Sequence, residues 1–322
     1  MGIEAVAAID WQRIFDQLEE NSQTGVPLAR YTAARIGGPA DALLEVRAAG
    51  HLVGAARLLW QNQVPFLVLG DGSNVLVSDR GVRGMVLVNR ARQASFDETS
   101  DIPTVSAEAG VNLGALARQA AQRGLSGLEW AMGIPGTLGG AAFGNAGAHG
   151  GDIAGNLLVA EILHRNGQVE KWSVERFGYS YRSSLLKQTA SQQVAGSTVQ
   201  ASPEHIILSL VLRLERKPAE EIQNRMDTIL SHRRRTQPPG ASMGSMFKNP
   251  PGDYAGRLIE AVGLKGAQIG DAQISPLHAN FFINLGQASA ADVHGLIELA
   301  QQAVYEKFGL RLELEIELLG EW

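Results

Sequence analysis

The sequence predicts a protein of two or three domains that mixes helices and strands, and three observations support this. At 322 residues the chain is longer than a single hydrophobic core usually serves. Apolar residues at helical spacing alternate with short β-type apolar runs. Glycine is concentrated where the chain must turn tightly, with 13 of the 37 glycines falling between Gly110 and Gly155. Such a cluster is read either as a set of tight turns or as a cradle for a ligand.

Taken in order, the elements begin with an amphipathic helix over Trp11 to Glu20. A strand over Ala42 to Val46, a helix over His51 to Gln61 and the apolar run Phe66-Leu67-Val68-Leu69 then read as strand, helix, strand. Gly70-Asp71-Gly72-Ser73-Asn74 follows and passes directly into Val75-Leu76-Val77. Both the dinucleotide fingerprint and the P-loop need their glycine loop to open a helix, so neither motif is present. Thr104 to Ala109 is extended, and Asn112 is placed to cap a helix over Leu113 to Arg123 that Gly124 ends. Strands are expected over Leu157 to Arg165 and Ile206 to Leu214, with an exposed polar loop over Lys187 to Ser202 between them.

A third unit starts near Arg216 with a helix over Ala219 to Ser231, the basic run Arg233-Arg234-Arg235 and a turn at Gln237-Pro238-Pro239-Gly240. Ser289 and Asp292 form a capping arrangement for a helix reaching Phe308, with Val293, Leu296, Ile297, Ala300, Val304 and Phe308 near one face. The chain closes on a strand in which Leu312, Leu314, Ile316 and Leu318 alternate with Arg311, Glu313, Glu315 and Glu317.

Composition excludes several functions. Hydrophobic residues at 45% against 19% charged place the chain with compact globular proteins rather than disordered ones. A net charge of −5 with no basic tail argues against nucleic acid as the partner. The absence of cysteine removes disulfides, thiolate metal sites, cysteine nucleophiles and any cysteinyl link to a cofactor. His149, His278 and His294 lack metal-ligand spacing, so no metal site is expected. The N-terminal residues have neither the pattern of a secretory signal nor that of a membrane span, and the expectation is a cytoplasmic protein without membrane insertion.

Successive amides in glycine-rich turns converge on an anion because no side chain blocks the approach. Two such loops, 70–74 and 133–147, point to a diphosphate and so to a dinucleotide, with Ser73, Asn74, Thr137 and Asn145 adding side-chain bonds. Arg182, after two tyrosines, either clamps a carboxylate with its paired donors or makes an ordinary surface ion pair. Ser245 has no hydrolase elbow and no evident histidine partner, so proton donation suits it better than acyl transfer. On local sequence alone, Glu315 belongs to a solvated strand face.

In their order and spacing, Arg35-Ile36-Gly37-Gly38-Pro39-Ala40, Leu69 to Asn74, Gly133 to Gly147, Tyr181-Arg182, Gly244 to Pro250, Gly263 to Gly266, His278 to Asn284 and Phe308 to Gly320 resemble the UDP-N-acetylenolpyruvoylglucosamine reductases. These are flavoenzymes of bacterial cell-wall precursor synthesis, and the resemblance spans nearly the whole chain. It implies an α+β fold: a two-part FAD-binding module of the vanillyl-alcohol-oxidase-like type (residues 1–92 and 93–214) plus an α+β substrate-binding domain (215–322).

The resemblance also implies noncovalent FAD, NADPH as reductant and UDP-N-acetylglucosamine enolpyruvate as substrate, in a bacterial cytoplasm and with no obligatory protein partner. FAD would be held by Gly70, Gly72, Ser73, Asn74, Gly110, Pro135, Gly136, Thr137, Gly139, Gly140, Asn145, Gly147 and Ile153, and substrate by Tyr181, Lys248 and Asn249. Arg182 would stabilise the charge that hydride addition builds on the substrate carboxylate. Ser245 would donate the proton and Glu315 would be the third catalytic residue. The serine motif argues against a flavin oxidase of the same fold acting on a small alcohol or sugar, and a non-catalytic UDP-sugar-binding or cell-wall regulatory protein would keep the phosphate loops without needing Arg182, Ser245 and Glu315 together.

Overall fold

The computed structural model describes residues 9–18, 22–194 and 202–322. Its chain folds into three interlocked units. In the first, the strands Pro39–Val46, Val82–Asn89 and Phe66–Leu69 lie parallel, with Gln23–Pro27 added antiparallel at one edge. Strands covered on both faces should read as unbroken apolar runs, and Met85, Val86, Leu87 and Val88 are all fully buried. Leu44 and Val46 pack with the helix Ala49–Gln61 on one face, while Leu43 and Val86 pack with Val77 and Leu28 on the other. Trp11–Leu18 forms the opening helix and buries Ile14; the last two residues expected in it lie outside the described residues.

The second unit is an antiparallel five-stranded sheet in the order Val169–Ser173, Leu157–His164, His205–Arg213, Thr104–Glu108, Ala94–Asp97. Helix Leu113–Gln122 packs into its core, and the Asn112 side chain caps it by accepting from the Ala115 amide at 3.0 Å. Within the densest glycine segment a six-residue helix, Leu138–Phe143, forms. Where an exposed loop over Lys187 to Ser202 was expected, Leu185–Val194 is helical and Leu186 is buried. The overlooked signal is Ser184, whose hydroxyl accepts from the Lys187 amide at 3.1 Å in the manner of an N-cap; residues 195–201 of the expected loop lie outside the described residues.

The helix Ala219–Thr236 buries Ile222, Met226 and Ile229 in the core of the second unit, and Arg216 pairs with Leu125. Packing thus crosses the boundary expected at 215, because the apolar face of this helix matches the 113–122 side of that core. The third unit's own sheet begins at Ala241 and runs Ala241–Ser245, Phe281–Asn284, Ala272–Ile274, Gln268–Ile269. Helices Ala255–Ala261 and Ala290–Phe308 pack with it. The capping box is present: Ser289 and Asp292 exchange hydrogen bonds of 2.9 and 3.0 Å. Asp79 of the first unit accepts from the amides of Ala290 and Ala291, placing a negative charge at the positive end of a helix 211 residues away in sequence. Phe308 does not join the buried face; it stays exposed at the helix end.

The closing segment is not one alternating strand. Leu314 bridges Phe247, the chain bends at Glu315 and Ile316, and Glu317–Leu319 then pairs in parallel with Val75–Val77 of the first unit. Ala34, Ile36 and Leu76 of the first unit enter the core of the third. This crossing brings the C-terminal segment against the glycine loop at 70–74.

Candidate active site

Where the three units meet, a cleft of about 1290 Å³ opens between the glycine loops and the 241–245 strand. The loops at 70–74 and 133–137 are docked on each other. Ser73 Oγ donates to the Pro135 carbonyl at 3.2 Å, and a Cβ placed on Gly136 would lie 2.5 Å from Ser73 Oγ. Gly72 has φ +58, and a Cβ there would come within 2.2 Å of the Tyr31 carbonyl oxygen. Only glycine reconciles these conformations with such close approach.

Asn112 joins the loops from behind, donating to Asp71 Oδ2 at 3.2 Å and to the Gly136 carbonyl at 3.3 Å. Arg90, 2.6 Å from Asp71 Oδ1, and Arg92 at 3.4 Å neutralise the one acid in the first loop. Its charge therefore does not repel an anion.

Among the described residues, none of the backbone amides from Gly70 to Asn74 donates a hydrogen bond, and neither do those of Gly136 and Thr137. Polar donors in ordered loops ordinarily find partners, so a row of unused N–H groups beside glycine surfaces fits the phosphates of a dinucleotide. FAD fits here. Gly70, Gly72, Ser73, Asn74, Pro135, Gly136, Thr137, Gly139, Gly140 and Gly147 all line the cleft. Gly110, Asn145 and Ile153 do not. Gly110 is wedged where a Cβ would meet the Ala91 carbonyl at 2.5 Å. Asn145 is buried and spends its amide on Asp152, Ser180 and the Ala154 N–H, and Ile153 is a core residue.

At the other side of the cleft, Arg182 occupies a left-handed conformation, φ +54, in the turn closed by reciprocal bonds between Ser180 and Ser183. The turn is anchored to the glycine-rich helix: Tyr179 Oη donates to the Ala142 carbonyl at 2.8 Å and Ser184 Oγ to that of Phe143 at 2.6 Å. Arg182 Nε lies 2.6 Å from Glu315 Oε1, an ion-pair separation without the alignment of a hydrogen bond. The two side chains are 25% and 15% exposed, so this pair is little screened by water. Burial raises the Glu315 pKa above the usual carboxylate range, with Arg182, Lys187 and Lys248 opposing it.

Backbone contacts hold Glu315 from both sides. Its amide donates to the Met246 carbonyl at 2.9 Å, and its carbonyl accepts from Asn74 Nδ2 at 3.1 Å. Lys187 Nζ is 2.6 Å from Glu317 and 3.5 Å from the Glu315 carbonyl. Ser245 ends its strand opposite Phe281, just after Gly244 at φ +79. The buried Asn280 side chain fixes the turn that follows, accepting from the Phe247 amide at 2.9 Å and donating to its carbonyl at 2.8 Å. Arg182, Ser245 and Glu315 thus line one cleft although they come from different units.

The three expected substrate residues lie outside the cleft lining. Tyr181 is 54% exposed beside the Arg182 guanidinium, Lys248 pairs with Glu313 at 3.3 Å, and Asn249 accepts from the Ala255 amide at the start of a helix. Sequence reasoning did not find Asn280, Lys187, His278 or Arg233. Asn280 sits in a motif already singled out, but nothing local shows that its amide clamps residue 247.

A cradle for a dinucleotide, facing an arginine from the glycine-loop side and a carboxylate and a serine from the third unit, defines the site of a cofactor-dependent enzyme assembled between units. Residues 39–173 match the model of an FAD-binding domain, and 236–319 match the C-terminal domain of UDP-N-acetylenolpyruvoylglucosamine reductase. Curated reductases of that name from Chloroflexus aggregans and Symbiobacterium thermophilum are 41% and 44% identical, each over 91% of this chain and over 96% and 91% of their own. The crystal structure of the Thermus caldophilus reductase matches with a TM-score of 0.75 at 37% identity, over 93% of this chain and 98% of that one.

The chain belongs to the UDP-N-acetylenolpyruvoylglucosamine reductase family. It is an FAD-dependent oxidoreductase of peptidoglycan precursor synthesis that reduces the enolpyruvyl group of UDP-N-acetylglucosamine enolpyruvate to give UDP-N-acetylmuramate. Among the described residues no helix is long and apolar enough to cross a membrane, and no group of acids and histidines could hold a metal ion.

Proposed function

We propose that NADPH and then the enolpyruvyl nucleotide use this cleft in turn, with Arg182, Ser245 and Glu315 as the catalytic residues. The glycine-loop residues lining the cleft would hold FAD, which when bound would supply the hydride chemistry between NADPH and C3 of the enolpyruvyl group. Hydride addition pushes negative charge onto a carboxylate that is already ionised. Arg182 meets that charge with a guanidinium whose backbone is fixed and whose Nε is already engaged by Glu315, so little reorganisation accompanies the reaction. Ser245 delivers the proton to C2, and Glu315 holds Arg182 in orientation. The Arg182–Glu315 pair carries this reading, because it faces the same cleft as the unused amides of the glycine loops.

The glycine-loop residues that line the cleft hold FAD. Gly110, Asn145 and Ile153 support that cradle without touching the cofactor, and Tyr181, Lys248 and Asn249 act on substrate only if closure brings them inward. The substrate-binding unit begins after the helix that ends at Thr236.

The test is the anaerobic rate of flavin reoxidation by the enolpyruvyl substrate in wild type, Ser245→Ala and Ser245→Cys, with FAD content checked in each. NADPH should reduce the flavin in Ser245→Ala at nearly the native rate, while reoxidation falls by about 10²- to 10⁴-fold, the range of general acid catalysis. Cysteine should restore part of it. Reoxidation of the alanine variant within about threefold of wild type would remove Ser245 from proton transfer, a bound far below that same range.

A further inference from the structure

Three consecutive arginines end the helix Ala219–Thr236, where the helix dipole alone favours cations. They do not share one environment. Arg234 and Arg235 are exposed on the outer surface, whereas Arg233 is half-buried and lines the catalytic cleft with its neighbour His232. Gly133, at φ +73, makes room for it: a Cβ there would lie 2.9 Å from Arg233 Nε and 3.1 Å from its Cδ. Among the described residues no carboxylate comes within ion-pair range of Arg233, and none of its nitrogens makes a hydrogen bond. Its pKa is lowered by burial, with no acid offsetting that cost.

Beside His232, His149 is held in a left-handed conformation, φ +51, with its ring 5.7 Å from that of His232 and nearly perpendicular to it. Burial, then Arg233, His232 and Arg225, hold His149 below the usual histidine pKa. Every charged neighbour that moves it is cationic. A half-buried, unpaired guanidinium beside two imidazoles is costly through desolvation and like-charge repulsion unless an anion completes it.

We infer that Arg233, with His149 and His232, forms a phosphate-binding site for the second nucleotide to enter the cleft, at the rim beside the amide cradle that holds FAD. Position favours an entering ligand over the resident cofactor. His149 and His232 are exposed at the rim, where an arriving nucleotide meets them first, while the unused amides lie in the loops at 70–74 and 136–137. A guanidinium suits phosphate because its forked donors engage two oxygens at once. Two sources supply that chemistry, the diphosphate of a uridine nucleotide and the phosphates of a nicotinamide dinucleotide. This inference rests on the reading that both visit one cleft.

The experiment uses the FAD-loaded enzyme and follows the flavin spectrum during titration with UDP, uridine, NADP⁺ and NAD⁺. Arg233→Gln should weaken UDP, NADP⁺ or both by about 10- to 100-fold, the worth of a charged hydrogen bond, and leave uridine binding unchanged. Loss confined to UDP assigns the site to the uridine diphosphate. Loss for NADP⁺ but not NAD⁺ assigns it to the 2′-phosphate, and equal loss for both dinucleotides assigns it to their pyrophosphate. Arg233→Lys should recover part of the affinity and His149→Gln should reproduce part of the loss, both with native FAD content. Unchanged affinities in Arg233→Gln overturn the inference, as does release of FAD with UDP and NADP⁺ binding intact, since Arg233 would then belong to the cofactor cradle. Wild-type enzyme that binds neither UDP nor NADP⁺ would defeat the shared-cleft reading itself, a result distinct from both.

Discussion

Gly136→Ala tests the cradle at the point where its two loops touch. The added Cβ would lie 2.5 Å from Ser73 Oγ but 3.7 Å from Ser73 Cβ, an ordinary contact. The overlap is therefore with a hydroxyl that can rotate away, at the loss of its hydrogen bond to the Pro135 carbonyl, worth about 0.5–1.5 kcal/mol. The backbone cannot relax as easily. Gly136 sits at φ +115, and its carbonyl is pinned by the Leu113 amide at 3.0 Å and by Asn112, so alanine adds strain of about 1–3 kcal/mol. Together the cost is about 2–4 kcal/mol; the free variant relieves it by undocking the loops, which FAD must then bring back together, so FAD affinity should fall by roughly 30- to 1000-fold. Titrating apoprotein with FAD by flavin fluorescence measures it. The double variant with Ser73→Ala separates the parts: it removes the hydroxyl overlap and leaves the φ strain, so its loss of FAD affinity relative to Ser73→Ala alone reports the φ strain. An FAD affinity for Gly136→Ala within about threefold of wild type, a change under 1 kcal/mol, would refute the claim that docked loops form the cofactor site.

Arg182→Lys should slow reoxidation by substrate by about 3 kcal/mol, as for loss of one oxyanion donor, and spare reduction by NADPH; equal slowing of both half-reactions in stopped-flow absorbance would place Arg182 in flavin binding instead. Because burial raises the Glu315 pKa in the folded state, the native protein keeps a proton that the unfolded chain has lost. Stability should then decline as pH rises from the ordinary carboxylate range through the raised value, and be greatest below it. Melting midpoints of Glu315→Gln against wild type across that window should show the decline only in wild type. Asn280→Ala leaves the Phe247 amide and carbonyl without their partners, which should cost about 3 kcal/mol in chemical denaturation and slow reoxidation more than flavin reduction, because the turn carrying Ser245 loosens.

By itself the sequence determined what depends on neighbours along the chain. The Asn112 cap, the Ser289–Asp292 capping box, the apolar run at 66–69 and the glycine-rich turns of both loops follow from bonds and backbone freedom spanning a few residues. They were legible for that reason, as was the diphosphate chemistry of unobstructed amides. The tertiary structure decided whatever depends on a partner far away in sequence. Asn145 looked like a ligand residue, but folding places Asp152 and Ser180 against its amide. Tyr181, Lys248 and Asn249 sit in the right motifs yet outside the cleft lining.

Glu315 shows the division best. Its alternating neighbours read as a solvated strand face, and the family resemblance alone pointed to a catalytic place. The bend after Leu314, forced by pairing first with Phe247 and then with Val75–Val77, turns its carboxylate toward Arg182, 133 positions earlier in the chain. Periodicity records which side chains alternate along a strand, but it carries no information about where a second strand ends the alternation. That is set by which distant backbone satisfies the next N–H and C=O.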